Sequence, residues 1–162
     1  MSEVQAETPV SNTLKLTLKY GEVTIALRPD LAPQSAERLR TLTAQGFYDG
    51  CKFFRVIADF MAQTGDATNT GMGGSPLPNL PAEFTTEASF LTGTLGMART
   101  QDPNSANSQF FICFAPSAWL DGQYTIVGQV TAGMDAVQQI KKGAGSSGQV
   151  QDPDTSIKMV VV

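Results

Sequence analysis

The residues that could do chemistry are concentrated in one stretch, Phe53-Phe54-Arg55-Val56-Ile57-Ala58-Asp59-Phe60-Met61-Ala62-Gln63-Thr64-Gly65-Asp66. This stretch is largely apolar and has strand character, yet it carries one arginine and one glutamine. On a strand alternate residues share a face, so Met61 and Gln63 point one way and Ala62 and Thr64 the other. An arginine among so many apolar residues either snorkels to solvent or lines a groove. Taken alone, Arg55 is more typical of a surface strand than of a groove.

A second segment repeats this design. Ser108–Phe114 reads as a strand that places Gln109, Phe111 and Cys113 on one face. Each of the two segments therefore presents an apolar side chain and a glutamine together. Taken alone, such side chains are more typical of a core face and of a solvated strand than of a binding groove.

The amino-acid inventory excludes much chemistry. The chain has no histidine, so Ser-His-Asp triads, Cys-His dyads and zinc sites with histidine ligands are impossible. Cys51 and Cys113 are far apart in sequence and form no CxxC motif. They could pair in an oxidising compartment, but two buried thiols in a reduced cell is the interpretation that we favour.

Composition narrows the class of protein. The chain has 162 residues, of which 41% are hydrophobic and 16% charged, and its net charge is −4 with no basic run. Nucleic-acid binding would need clustered lysine and arginine, so we expect no nucleic-acid partner. No apolar run approaches the length of about 18 residues that a membrane helix needs. Residues 1–12 lack the features of a secretory signal, so a cytoplasmic location is expected.

Hydrophobic patterns predict the elements that must position these residues. Alternation predicts a hairpin of strands 14–18 and 23–27, and helical spacing after Pro33 predicts a helix at 33–45. A second helix is expected to open at Gly133 and to stop at Gly143, with Met134, Val137 and Ile140 on its inner stripe. About eight short strands without βαβ alternation indicate an antiparallel barrel or sandwich with helices over its open ends. We expect a flexible N-terminal arm at 1–11 and one domain at 12–162.

With these motifs in order, the chain resembles the cyclophilin family of peptidyl-prolyl cis/trans isomerases. The stretch 53–66 is similar to the family's F-H-R-V-I-x-x-F-M-x-Q-x-G-D. Further similar motifs follow along the chain, namely Gly71-Met72-Gly73-Gly74, Gly93-Thr94-Leu95-Gly96-Met97-Ala98, Ser108-Gln109-Phe110-Phe111-Ile112, Trp119-Leu120-Asp121-Gly122 and Val127-Gly128. The resemblance runs from about Leu14 to the C-terminus, and motifs of this length in this order are specific.

The resemblance implies a mainly β fold, an eight-stranded antiparallel closed β-barrel capped by two α-helices, with its active groove on the outside. It implies that Arg55 is the catalytic residue. It implies a proline pocket formed by Phe60, Met61, Phe111 and Leu120. It implies peptide binding by Gln63, Ala98, Arg99, Thr100 and Gln109, and a flanking Trp119 associated with cyclosporin.

Amide chemistry agrees with this implied activity. The barrier to rotation about a peptide bond is about 18–20 kcal/mol, while both isomers of an Xaa-Pro bond are populated because they differ by only about 0.5–1 kcal/mol. Catalysis of the exchange needs no nucleophile, metal or cofactor. It needs an apolar slot that grips the proline and a cation that favours the twisted amide. Arginine suits that role because it stays charged beside apolar walls.

Four positions of the groove depart from the family pattern. Phe54 replaces the usual histidine before the arginine, and Tyr124 stands where a histidine is common. Met72 and Arg99 replace a frequent threonine and a frequent asparagine. These changes leave Arg55 and the proline pocket intact, so they bear on turnover rate and on the preference for the residue before proline.

Two classes of function remain at this point. The first is an isomerase of proline-containing peptides and unfolded proteins, inhibited by cyclosporin and acting as a monomer. The second is a cyclophilin-like module that binds proline-containing segments, as scaffold or chaperone, with little turnover. Arg55 favours the first, because a protein that only binds needs no cation at that position.

Overall fold

The first hairpin forms where the sequence alternates most strictly. In the computed structural model, which describes residues 11–162, β1 (Thr13–Leu18) pairs antiparallel with β2 (Gly21–Leu27). Leu14, Leu16 and Leu18 are buried and the residues between them are not. The hairpin therefore has the predicted position and the predicted inward face.

In the described part of the chain, six more strands join this hairpin in one antiparallel sheet. They are β3 (Arg55–Ile57), β4 (Met61–Thr64), β5 (Thr94–Met97), β6 (Phe110–Cys113), β7 (Ile126–Ala132) and β8 (Lys158–Val161). The order across the sheet is β3-β4-β6-β5-β7-β2-β1-β8. The mainly β, eight-stranded antiparallel architecture is thus confirmed.

The predicted closure of the barrel is wrong in one respect. Within residues 11–162 no strand ladder joins the two outer strands, β3 and β8, so the sheet is an open half-barrel. The irregular segment 148–156 lies along the short β3 instead. The amides of Gly50, Phe53 and Val56 donate to the carbonyls of Ser156, Asp154 and Gly148, respectively. With only three residues in β3 and its outer edge bonded to this segment, a direct ladder to β8 does not form.

Within residues 11–162, two α-helices pack on the sheet, as predicted. Helix α1 (Pro33–Ala44) agrees with the predicted 33–45 within one residue. Its N-terminus has no local side-chain cap, and the carboxylate of Glu83 accepts hydrogen bonds from the amides of Gln34 at 3.0 Å and Ser35 at 2.9 Å. A capping partner so distant in sequence stabilises the helix N-terminus in the same way as a local one.

Helix α2 (Met134–Gln138) is shorter than predicted. After Gln138 the chain tightens, since the amides of Gln139 and Ile140 bond three residues back. Val137 and Ile140 are nevertheless fully buried, so the predicted inner stripe is correct even though the helix ends early. No helix within residues 11–162 has the length and apolar character needed to cross a membrane.

The N-terminal end of the described chain is tied to its C-terminal end. The Ser11 hydroxyl donates to the carbonyl of Val162 and accepts a hydrogen bond from the amide of Thr13. Residues 1–10, the rest of the predicted arm, lie outside the described residues.

The sheet buries both of its faces. The larger cluster fills the concave side beneath α1, and includes Leu14, Ile25, Phe53, Ala62, Phe110 and Ile112. A smaller cluster on the other face contains Met61, Phe90, Phe111, Cys113, Leu120 and Ile126. Because side chains fill the concave side, any binding groove must lie on the outer face, over the smaller cluster.

Candidate active site

Arg55 and Gln63 are cross-strand partners on β3 and β4. Nη1 of Arg55 donates to Oε1 of Gln63 at 3.1 Å, and Nε of Arg55 donates to the carbonyl of Ser147 at 3.3 Å. The side chain is exposed, and within the described residues Nη2 has no hydrogen-bond partner. The guanidinium is therefore held in place on two sides and free to donate on a third.

A relay of amides continues from Gln63 to a neighbouring loop. Nε2 of Gln63 donates to Oε1 of Gln109 at 2.8 Å. Nε2 of Gln109 donates in turn to the carbonyls of Gly71 at 3.1 Å and Gly73 at 2.8 Å. This loop contains Gly71, Gly73 and Gly74, and we call it the glycine-rich loop. The position of the Arg55 guanidinium is thus coupled to that of the glycine-rich loop.

A small cavity, which we call the apolar cavity, opens beside Arg55. It has a volume of about 140 Å³ and is lined by Arg55, Phe60, Met61, Gln63, Ala98, Arg99, Phe111, Leu120 and Tyr124. The Phe111 ring stacks on Phe90 with ring centroids 5.8 Å apart and meets Tyr124 edge-on at 5.8 Å. These contacts hold Phe111 on the cavity wall, where it offers a rigid apolar surface to a small ring.

Two further cavities adjoin the apolar one. The loop cavity, of about 440 Å³, is lined by the relay amides, by residues 71–75, and by Ala98, Arg99, Thr100, Ser105 and Asn107. The outer cavity, of about 780 Å³, lies on the other side of the guanidinium and is lined by residues that include Lys52, Phe54, Arg55, Ser147 and Pro153. Gln63 lines all three cavities, so they form one continuous groove.

Arg99 stands between the apolar cavity and the loop cavity. Its guanidinium carbon lies 4.5 Å from the centroid of the Tyr124 ring. Nη2 of Arg99 donates to the carbonyl of Gln123 at 2.7 Å, and Nη1 donates to the carbonyl of Thr100 at 2.8 Å. Stacking and hydrogen bonds together fix a second cation at the groove.

Trp119 lies beside the groove. It belongs to a single 3₁₀ turn, Ala118–Leu120, in which Leu120 is buried in the apolar cavity while Trp119 is 65% exposed. The indole packs on Phe60 at a tilt of 45°, with centroids 5.5 Å apart. It therefore extends the apolar surface of the groove without lining any of the three cavities.

Asp66 organises the glycine-rich loop, a role that the sequence analysis missed. Its side chain is fully buried and accepts hydrogen bonds from the amides of Thr68, Thr70, Gly71 and Gly73. Burial alone would raise the pKa of this carboxyl, but the hydrogen bonds that it accepts lower its pKa to about 2. A glycine-rich loop can cradle a phosphate, and this loop instead binds a carboxylate of its own chain. The signal in the sequence was the aspartate at the start of the loop.

The thiols belong to the packed interior. Cys51 and Cys113 are both free and buried, as the sequence analysis favoured. Burial raises the pKa of each thiol to about 11, so neither is a nucleophile at neutral pH. Within residues 11–162, no three His, Cys, Asp or Glu side chains cluster closely enough to hold a metal ion.

The structure places the predicted site residues around one groove. Nine line the apolar cavity, namely Arg55, Phe60, Met61, Gln63, Ala98, Arg99, Phe111, Leu120 and Tyr124. Met72, Thr100 and Gln109 line the loop cavity, Phe54 lines the outer cavity and Trp119 flanks the groove.

The predicted strand faces agree with the observed packing. Met61 and Phe111 belong to the outer cluster, whereas Ala62 belongs to the concave core. Phe60 departs from the alternation that would place it opposite Met61, and it packs on the outer cluster as well. It precedes β4 and follows Asp59, whose φ of 63° turns the chain, so strand alternation does not reach it.

Comparisons with known proteins agree on one family. The family model described as "Cyclophilin type peptidyl-prolyl cis-trans isomerase/CLD" matches residues 13–162. A curated protein of Brucella suis named "Probable peptidyl-prolyl cis-trans isomerase" is 51% identical over an alignment of 162 positions, which covers 93% of this chain and 82% of that protein. A protein of Rhizopus delemar named "Peptidyl-prolyl cis-trans isomerase-like 1" is 41% identical, with 77% of each chain covered.

Solved structures show the same likeness. The cyclophilin AquaCyp293 from Hirschia baltica has a TM-score of 0.84 at 26% identity, with 100% of this chain and 80% of that chain covered. A Cryptosporidium parvum cyclophilin-type isomerase, crystallised in the presence of the dipeptide Ala-Pro, also has a TM-score of 0.84 at 26% identity. That comparison covers 93% of this chain and 98% of the other.

Proposed function

The chain belongs to the cyclophilin family of peptidyl-prolyl cis/trans isomerases, and we propose that it accelerates rotation about Xaa-Pro bonds through Arg55 and the apolar cavity. One observation carries the mechanism. The Arg55 guanidinium is held at the mouth of a 140 Å³ apolar cavity and has a donor without a partner among the described residues.

In the proposed mechanism the proline ring enters the apolar cavity between Phe60, Met61, Phe111 and Leu120. The peptide bond before the proline then lies beside Arg55. As that bond twists, resonance is lost and the proline nitrogen regains a lone pair. A guanidinium N–H can donate to this nitrogen, and another can hold the neighbouring carbonyl oxygen. These hydrogen bonds strengthen in the twisted state, so they lower the barrier rather than only binding the substrate.

The amide relay supplies preorganisation. Gln63 and Ser147 constrain two sides of the guanidinium, and Gln109 anchors Gln63 to the loop carbonyls. An arginine fixed before substrate arrives loses less conformational entropy on binding than a mobile one. The loop cavity and the outer cavity provide room for the residues on either side of the proline.

The substrates proposed for this chain are Xaa-Pro segments of peptides and of unfolded proteins. The related Cryptosporidium protein was crystallised in the presence of Ala-Pro, which supports this class of ligand. The alternative is a module that binds such segments with little turnover. The arrangement of Arg55 favours the enzyme, because apolar contacts alone would be enough to bind proline.

We extend the proposal to an inhibitor. Cyclosporin, as the family resemblance implies, would occupy the apolar cavity and contact Trp119. The exposed indole packed on Phe60 supports this, since it presents a flat surface and one N–H donor next to the cavity.

We further propose that the chain acts as a monomeric single domain at 12–162 in the cytoplasm. The continuous sheet and the family match over 13–162 support the single domain. Two unpaired cysteines are typical of a reducing compartment.

The experiment that tests the function is NMR exchange spectroscopy on an Xaa-Pro peptide with and without the protein. We expect the cis/trans exchange rate to rise with protein concentration, and the protein resonances of the apolar cavity to shift on peptide addition. Shifts without faster exchange would support the binding module instead. Faster exchange with shifts confined to another surface would overturn the proposed site.

A further inference from the structure

The groove carries positive charge without compensation in its lining. Among residues 11–162, the side chains that line the three cavities include three cations, Lys52, Arg55 and Arg99, and no aspartate or glutamate. The whole chain, by contrast, has 15 acidic and 11 basic residues. Cations are therefore concentrated in the groove of an acidic protein.

Asp66 follows β4 and precedes the glycine-rich loop, but it does not line the groove. It is fully buried beneath the glycine-rich loop and accepts hydrogen bonds from the backbone amides of that loop. Its charge is thus engaged by fixed dipoles, and it lines none of the three cavities.

Arg99 is the cation best placed to select a substrate. Within the described residues no carboxylate lies within ion-pair distance of it, since its hydrogen bonds go to the backbone carbonyls of Thr100, Gln101 and Gln123. The Tyr124 ring fixes the plane of its guanidinium. Arg99 also borders both the apolar cavity and the loop cavity, so a side chain next to a bound proline would pass close to it.

We propose that this groove prefers proline segments with an aspartate or glutamate close to the proline, and that Arg99 is the main specificity-determining residue. This inference rests on the proposed function. An acidic side chain would meet a fixed and unpaired cation, whereas a lysine would be repelled by the same charge. Apolar walls and a partly enclosed groove strengthen the field that reaches the substrate.

The test uses a peptide series in which glutamate, glutamine or lysine occupies in turn each position near the proline. The catalytic efficiency, kcat/KM, is measured for each peptide with the wild-type protein. At the peptide position that lies closest to Arg99, we expect kcat/KM for the glutamate peptide to exceed that for the glutamine peptide by about two- to fivefold, which is the effect of an exposed ion pair. The lysine peptide should have a lower kcat/KM than the glutamine peptide. Raising the salt concentration from about 0.01 to about 1 M shortens the Debye length from about 30 to about 3 Å and should abolish most of the difference.

Variants assign the preference to a residue. In Arg99→Gln the ratio of kcat/KM for the glutamate peptide to kcat/KM for the glutamine peptide should fall towards one, whatever the variant does to the absolute rate. Arg99→Lys keeps the charge and should keep part of the ratio. Lys158→Gln is the matched control, because it removes an exposed cation that lines none of the three cavities. It should leave the ratio unchanged.

The outcomes separate the two levels of the proposal. Equal efficiencies for glutamate and glutamine peptides at every position, with faster exchange for all of them, would overturn the acidic preference and leave the isomerase mechanism standing. An unchanged ratio in Arg99→Gln would overturn the assignment to Arg99. If no peptide exchanged faster in the presence of the wild-type protein, the proposed function would fail, and the preference with it.

Discussion

The ring of Phe111 lies directly against the backbone of Gly96, its cross-strand partner on β5. A Cβ at position 96 would lie 2.4 Å from Cζ of Phe111 and 2.7 Å from Cε2 of Phe90. The absence of a side chain at Gly96 is therefore what allows Phe111 to form the wall of the apolar cavity.

Gly96→Ala should displace Phe111 and damage the cavity. We expect kcat/KM to fall by about 10- to 100-fold, since a misplacement of about 1 Å at a reacting site has effects of this size. The overpacking should also lower the free energy of unfolding by about 1–3 kcal/mol. Gly145→Ala is the control, because its methyl group meets open space while its φ of 58° still costs stability. If Gly96→Ala isomerised peptides as fast as the wild type, Phe111 would not define the site.

Gln63 should act as a positioning residue for Arg55. Gln63→Ala removes the acceptor at 3.1 Å from Nη1, and we expect kcat to fall by about tenfold, less than the full value of a buried charged hydrogen bond because Arg55 is exposed. KM should change less than kcat. Gln63→Glu keeps an acceptor for the guanidinium and should recover part of the rate. The exposed Gln139, which directly follows α2, provides a control, Gln139→Ala. A loss confined to KM would mean that Gln63 only binds the peptide.

Asp66 should make the glycine-rich loop sensitive to acid. Its pKa is lowered from 3.8 to about 2 in the folded protein, so the unfolded chain takes up a proton first as the pH falls. The ionised carboxylate therefore contributes stability that is fully present above about pH 4 and is lost between about pH 4 and pH 2. At neutral pH this contribution to the free energy of unfolding is about 2 kcal/mol.

Chemical denaturation of wild type and Asp66→Asn across this pH range checks the prediction. The difference in the free energy of unfolding between the two proteins should be largest at neutral pH and shrink towards pH 2. A difference that stays constant with pH would show that the carboxylate charge does not stabilise the loop.

Trp119 should matter more to cyclosporin than to peptides. Trp119→Phe removes the indole N–H and part of the flat surface, and the lost donor alone should cost about 0.5–1.5 kcal/mol of binding free energy. Because Trp119 lines none of the three cavities, peptide isomerisation should largely survive. Calorimetric titration of both proteins measures the difference. No detectable binding by the wild type would show that Phe54, Met72 and Arg99 prevent the fit.

Local pattern was enough to predict the strands that carry the site. Alternation predicted that Met61 and Ala62 lie on opposite faces, as observed, whereas the family resemblance implied that the groove lies on the outside. Pro33 and the helical spacing after it located α1 within one residue. These features depend on neighbours in sequence, which is why a single chain reveals them.

Features that depend on distant residues escaped prediction. The cap of α1 comes from Glu83, 49 residues after Gln34. The open edge between β3 and β8 reflects hydrogen bonds to segment 148–156. No periodicity in the sequence encodes such contacts, because each joins segments that meet only in the folded protein.

In the proposed mechanism Arg55 carries the catalysis. The most direct test of this role is the cis/trans exchange rate of an Xaa-Pro peptide, measured with the wild type, Arg55→Lys and Arg55→Ala. One lost charge-assisted hydrogen bond is worth about 1.5–3 kcal/mol, so Arg55→Ala should be slower by about 10- to 100-fold or more. Arg55→Lys should fall between the two, since it keeps the charge and loses the planar set of donors. Peptide binding monitored in the same samples should persist in both variants. Equal exchange rates for wild type and Arg55→Ala would contradict the account.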